Sequence, residues 1–275
     1  MKQNKPIAVF DSGIGGLTVY RELKRRLPGE NFIYLGDTAR VPYGTKSADT
    51  LVKYSLQNAE FLVSLGIKML VVACNTASSY AMEALVDRFD MPIIGVIPSG
   101  VRRALKLTAS GRIGVIATES TVQSGSYQRL LAETRPGVEV AARACPLFVP
   151  LVEEGWLDHS VTRQVSEVYL RPFAEADIDT LILGCTHYPM LKQMIGEVLG
   201  PAVQLVDSAE ALALEIDGIL TALSLERKAG DAEAPDAFYV TDSIPRFQRV
   251  AGIFLGRELA NIRQVDLQFL PRQEA

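Results

Sequence analysis

Three blocks of this sequence recur in the same order in its second half, which restricts the chain to folds made of two like parts. "IAVFDSGIGGLTVYREL" from Ile7 lines up with "IGVIATESTVQSGSYQRLL" from Ile113, and "MLVVACNTAS" from Met69 with "TLILGCTHYP" from Thr180. "IIGVIPS" from Ile93 then matches "VQLVDSA" from Val203. The offset is 106 residues between Ile7 and Ile113 and 111 between Cys74 and Cys185, so one small insertion accounts for the difference. Identity between the copies is low, so the duplication is one of structure more than of sequence.

Each copy alternates short β-branched runs with longer stretches of helical periodicity, the pattern of parallel βαβ units. Strands are expected at 7–10, 32–35, 69–72 and 92–97, and again at 113–117, 138–142, 180–183 and 203–206. Helices are expected near 16–27, 47–65, 76–88, 120–133, 161–175 and 188–198. The tail adds a helix, a break at "ERKAGDAEAPD" and two strand-like runs, "AFYVT" and "VDLQF". The fold class is therefore α/β, with two pseudo-symmetric domains, each a mainly parallel sheet flanked by helices, and the active site in the cleft between them. No Pro/Ser-rich linker separates the copies, so the chain is expected to cross between domains more than once. Residues 1–97 with 209–275 form the expected first domain and 98–208 the second.

Lys and Arg number 28 against 32 Asp and Glu, a net charge of −4 with no basic stripe. That argues against a nucleic-acid or membrane surface as the main function. The N-terminus enters a strand at once, without the apolar region of a secretory signal, and a cytoplasmic location is expected. The cysteines are Cys74, Cys145 and Cys185, an odd set that reads as free thiols. With two histidines, His159 and His187, and neither a C-x-x-C nor an H-E-x-x-H motif, no metal site is expected.

Cys74 and Cys185 occupy equivalent positions, each where a strand gives way to a helix. That carboxyl edge is where open α/β sheets bind ligands. Two facing domains would aim two thiols at one ligand from opposite sides. Inverting a carbon that bears hydrogen calls for such a pair: one group removes the proton from one face and the other delivers a proton to the opposite face. The groups exchange roles in the reverse direction, so like residues suit both tasks, and a thiol titrates within about two units of neutrality. Cys145 has no counterpart in the repeat and reads as a core residue. Asn75, Thr76, Thr186 and His187 follow the two cysteines, placed to hold an α-carboxylate. Asp11 and Ser12 end the first strand over a glycine-rich turn that is neither a G-x-G-x-x-G nor a P-loop. "GDTARVPYG" offers Asp37 and a Pro-Tyr-Gly turn whose amides suit a second carboxylate.

At these residues the chain resembles the glutamate racemase family, cofactor-independent enzymes that supply D-glutamate for peptidoglycan. The likeness spans nearly the whole chain and rests on "FDSGIGGLTV", "GDTARVPYG", "ACNTAS", "TESTVQSGSY", "CPLFVPLVEEG" and "LGCTHYPML", in that order. It implies Cys74 and Cys185 as the acid/base pair, with Asp11 and His187 as their orienting or proton-tuning neighbours. Asp37 and Glu153 are implied as auxiliary residues. Asp11, Ser12, Tyr43, Gly44, Asn75, Thr76, Thr186 and His187 become substrate contacts, joined by Thr118 and Thr121. The resemblance further implies glutamate as substrate, no cofactor, no metal and a homodimer. Related aspartate racemases usually carry glutamate where this chain has His187, and that residue decides for glutamate. One departure stands out: the family often reads Glu-Pro where this chain has Pro98 and Ser99.

The alternatives are racemisation of aspartate or a hydantoin, and a two-lobed module that binds a small ligand without chemistry. Decarboxylases of related fold carry only one of the two cysteines, and both are present here. The gyrase inhibition known for some family members has no basic or repetitive segment to support it.

Overall fold

A computed structural model describes residues 2–227 and 235–267. The first copy runs β1 (Ile7–Asp11), α1 (Leu17–Arg26), β2 (Phe32–Gly36), α2 (Ala48–Ser64), β3 (Met69–Val72), α3 (Asn75–Tyr80), α4 (Met82–Arg88), β4 (Ile93–Gly95) and α5 (Val96–Leu107). The second runs β5 (Arg112–Ala117), α6 (Glu119–Ser124), α7 (Ser126–Thr134), β6 (Glu139–Ala144), α8 (Phe148–Glu153), α9 (Ser160–Glu175), β7 (Thr180–Gly184), α10 (Lys192–Leu199), β8 (Gln204–Asp207) and α11 (Ser208–Ala222). β9 (Ala237–Val240), α12 (Ile244–Leu255) and β10 (Ile262–Gln264) follow.

All strand pairs are parallel, in two sheets of order β10-β9-β2-β1-β3-β4 and β6-β5-β7-β8. The segment β2-β1-β3-β4 repeats as β6-β5-β7-β8, strand for strand, as the sequence duplication requires. The tail extends only the first sheet, at its β2 edge. β1, β3 and β7 are buried along their whole length, which explains their unbroken apolar runs: both faces of a parallel sheet are covered by helices.

Three expectations shift. The run 92–97 is a strand only over 93–95, because Val96 and Ile97 already belong to α5, an amphipathic helix whose start the β-branched residues disguised. Pro98 sits in its first turn, where no intrahelical N–H is needed. Ser99 donates to Glu215 of α11 at 2.6 Å, joining the helices that follow the equivalent strands β4 and β8. The second tail strand is 262–264, upstream of "VDLQF"; Val265 adds one hydrogen bond to Val240, and Gln268 and Phe269 lie outside the described residues. So does most of the "ERKAGDAEAPD" break. The expected helices at 76–88 and 120–133 are each divided, the second at Gly125, whose left-handed backbone (φ 66°) ends α6.

Candidate active site

The carboxyl ends of β1, β2, β3, β5, β6 and β7 converge on one cavity of about 350 Å3. Cys74 and Cys185 both line it. So do Ser12, Tyr43, Gly44, Asn75, Thr76, Thr118, Glu153, Thr186 and His187. Among the described residues no helix is long and apolar enough to cross a membrane, and no three His, Cys, Asp or Glu side chains cluster as metal ligands.

The two thiols sit in different chemical surroundings. Cys74 caps α3, its sulfur accepting from the Ala77 amide at 3.5 Å while its thiol donates to Ser12 Oγ at 3.5 Å. Burial pushes this thiol up to about 12, and the Asp11 carboxylate adds to the shift, so Cys74 is a proton donor at neutral pH. Cys185 lies 3.9 Å from His187 Nδ1. The other ring nitrogen, Nε2, faces Glu153 Oε1 at 3.1 Å, and Glu153 Oε2 accepts from Arg246 of α12 at 3.0 Å. Burial alone would lower the His187 pKa, but its hydrogen bonds to Cys185 and Glu153 and their charge carry it up to about 10. Burial likewise works against the Glu153 charge, yet His187 and Arg246 hold its carboxyl below the ordinary value. A protonated imidazole therefore stands against the Cys185 sulfur. Gly15 makes that possible: any Cβ there would collide with Thr186 Oγ1 and the His187 ring.

Such a pair of opposed thiols, one held protonated and one beside a cation, can take a proton from one face of a small molecule and return one to the other. The sequence profile of the Asp/Glu/Hydantoin racemase family matches residues 7–216. The chain belongs to this family. It is an enzyme of the amino-acid racemase class. A glutamate racemase from Geobacter metallireducens is 51% identical over 96% of this chain and 97% of its own length. The crystal structure of a glutamate racemase from Bacillus anthracis superposes with a TM-score of 0.92 at 40% identity, covering 96% of this chain and 98% of that one. The enzyme from Francisella tularensis, solved in complex with D-glutamate, gives 0.90 at 38% identity over 96% and 98%.

Not every family residue that the sequence points to reaches the cavity. Asp11 is fully buried behind the wall, where Oδ2 accepts from the Gly13 amide at 3.0 Å and Oδ1 from Thr186 Oγ1 at 3.5 Å. Burial raises its pKa, moderated by the His187 charge and by the amides of Gly13, Gly16 and Ser12. It thus stands between the two half-sites. Asp37 is also off the cavity. It pairs with Arg40 at 2.7 Å, accepts from Thr241 at 3.0 Å and from the Tyr43 hydroxyl, and so braces the loop carrying Tyr43 and Gly44. Thr121 closes a triangle of hydroxyls with Thr76 (3.1 Å) and Thr118 (2.9 Å), while Thr76 and Thr118 lie 2.9 Å apart.

Other parts of the wall were not singled out from sequence. Val41, beside the Pro-Tyr-Gly turn, then Pro146, Val149 and Pro150 at α8, supply an apolar side, and Glu119 stands at the mouth. The prolines around the short run after β6 were the available signal. Arg246 left none, since its partner lies 93 residues away in the chain; Tyr127 closes the block "TESTVQSGSY", but its contact with Asn75, 52 residues away, was not legible there.

Proposed function

We propose that this protein is a cofactor-independent glutamate racemase that interconverts L- and D-glutamate by a two-base mechanism and supplies D-glutamate for peptidoglycan in the cytoplasm. Two domains, 1–97 with 209–275 and 98–208, carry one acid/base cysteine each. The observation that carries the reading is the pair of thiols, Cys74 and Cys185, at equivalent strand ends on one cavity. In the resting enzyme Cys74 holds the proton it donates, and Cys185, with the His187 cation 3.9 Å from its sulfur, is the cysteine that abstracts from Cα. After one turnover Cys185 holds the proton taken from Cα, Cys74 has given its own to the opposite face, and the reverse reaction runs from that state. Glutamate is favoured over aspartate by the full-length relatives and by His187, and the D-glutamate complex of the Francisella tularensis enzyme supports the same substrate.

The test is incubation of the purified protein with chelator, without added cofactor, with L-glutamate or L-aspartate in D2O. Optical rotation should decay with glutamate, and the D-glutamate formed should carry deuterium at Cα. Activity on aspartate alone would overturn the substrate, and silence with both would overturn the function.

A further inference from the structure

Asn75 follows Cys74 and lines the cavity, yet the contact that fixes its amide comes from the other half of the duplication. The hydroxyl of Tyr127, on α7, donates to Asn75 Oδ1 at 2.6 Å. That length suits an O–H···O bond and is short for an amide N–H donor, which identifies the atom facing the phenol as oxygen. Ser208 Oγ completes the contact 3.3 Å behind the phenol. Tyr127 is 1% exposed, and burial keeps it a neutral phenol, able to donate. Its ring packs beside two glycines: a Cβ on Gly184 would stand 3.1 Å from Tyr127 Cε2, and one on Gly100 3.8 Å from Cε1, so the absence of side chains there leaves the ring its place.

We propose that Tyr127 is a positioning residue that locks the Asn75 amide oxygen inward, so that its NH2 group faces the cavity and an anionic group of the substrate. Without the phenol the amide is free to turn its carbonyl toward the carboxylate, which repels it. The inference rests on the glutamate reading above and deepens it: one carboxylate of the amino acid is recognised by a donor whose orientation is set across the two halves. It also explains a buried tyrosine hydroxyl that no other part of the site uses.

The experiment compares KM and kcat for L-glutamate in the wild type, Tyr127→Phe, Asn75→Ala and the double variant. Losing one hydrogen bond to a charged group raises KM about tenfold, and Y127F is expected to do this with kcat within about threefold of wild type, the mark of binding shared by ground and transition states. Y127F should add nothing to N75A, because the phenol acts through that amide. Wild-type KM in Y127F, a kcat loss at unchanged KM, or full multiplication of the two losses would each overturn the proposal. Asn75→Asp tests it without touching Tyr127: with the phenol on one oxygen, the other faces the cavity, and KM should exceed that of N75A about tenfold. An N75D enzyme that binds as well as N75A would overturn it. Wild-type protein inactive on glutamate would instead sink the function beneath it, a distinct result.

Discussion

The two cysteine half-sites share a strand end and little else. After β3, Cys74 has a hydroxyl and a backbone amide for company, with the Asp11 carboxylate nearby, and its proton is held tightly. After β7, Cys185 has a histidine whose far nitrogen is held by Glu153, itself held by Arg246. The duplication set where the sulfurs stand; the neighbours differ, burial and Asp11 holding the Cys74 proton while the His187 cation stands against Cys185. Asn75–Thr76 after one cysteine and Thr186–His187 after the other are the point of divergence. Symmetric placement serves a reaction whose substrate and product are mirror images, and the unlike neighbours give the two cysteines different starting roles.

The largest effects test the symmetry. Cys74→Ala and Cys185→Ala should each lower kcat/KM at least about 1,000-fold, as removal of a general acid or base does. Because the enantiomers have equal energy, the loss must be the same in both directions for each variant. The difference shows in Cα exchange: C74A should wash deuterium into one enantiomer without inverting it, and C185A into the other. Both variants exchanging the same enantiomer would break the two-base assignment.

Next in size is His187→Asn, expected to lower kcat/KM about 100-fold, at the low end for proton-transfer groups. In a C74A background, where only Cys185 works, H187N should suppress the residual exchange; in a C185A background it should leave it alone. Equal suppression in both would mean that His187 serves both half-sites. Stability gives a second reading. The folded His187 pKa of about 10 lies above its ordinary 6.5, so its contribution is fully present below pH 6.5 and is lost as pH rises through about 10. Urea midpoints of wild type should therefore fall relative to H187N across that window, and parallel curves would refute the pairing with Glu153 and Cys185. Cys74 erodes stability further on the alkaline side, since its folded pKa of about 12 exceeds the ordinary 9.0 and the unfolded thiol ionises first.

Much of this was legible in the chain because strand and cysteine share one local motif. The alternation of apolar runs gave eight strands of the two sheets near their observed places, and the repeat predicted the matching strand orders. What stayed hidden is non-local. α5 was masked because Val96 and Ile97 look like strand, and α8 because six residues are too few to show a helical period; α12, though amphipathic, lay in a tail that read as strands. Asp11 reads from its strand-end position as an orienting residue and substrate contact, and Asp37 as an auxiliary residue. Only tertiary packing shows that one is buried between the half-sites and the other braces a loop. Glu153 gained its place from Arg246, which comes from a helix the sequence pattern did not reveal.

The smallest expected effect is the control for the whole comparison. Cys145 is as buried as the other two cysteines, lies at the end of β6, and has a thiol that burial pushes up to about 12, like that of Cys74. By burial and acidity alone it is indistinguishable from Cys74. It differs in geometry: among the described residues its sulfur bonds only the Arg143 carbonyl, at 3.9 Å, and it does not line the cavity. Cys145→Ala should therefore leave kcat/KM within about twofold while lowering stability by about 1 kcal/mol for the lost packing volume. An activity loss in C145A near that of C74A would mean that a buried, proton-holding thiol anywhere at this sheet edge matters, and that the facing pair is not what distinguishes Cys74. Retained activity would tie the chemistry to position in the duplication.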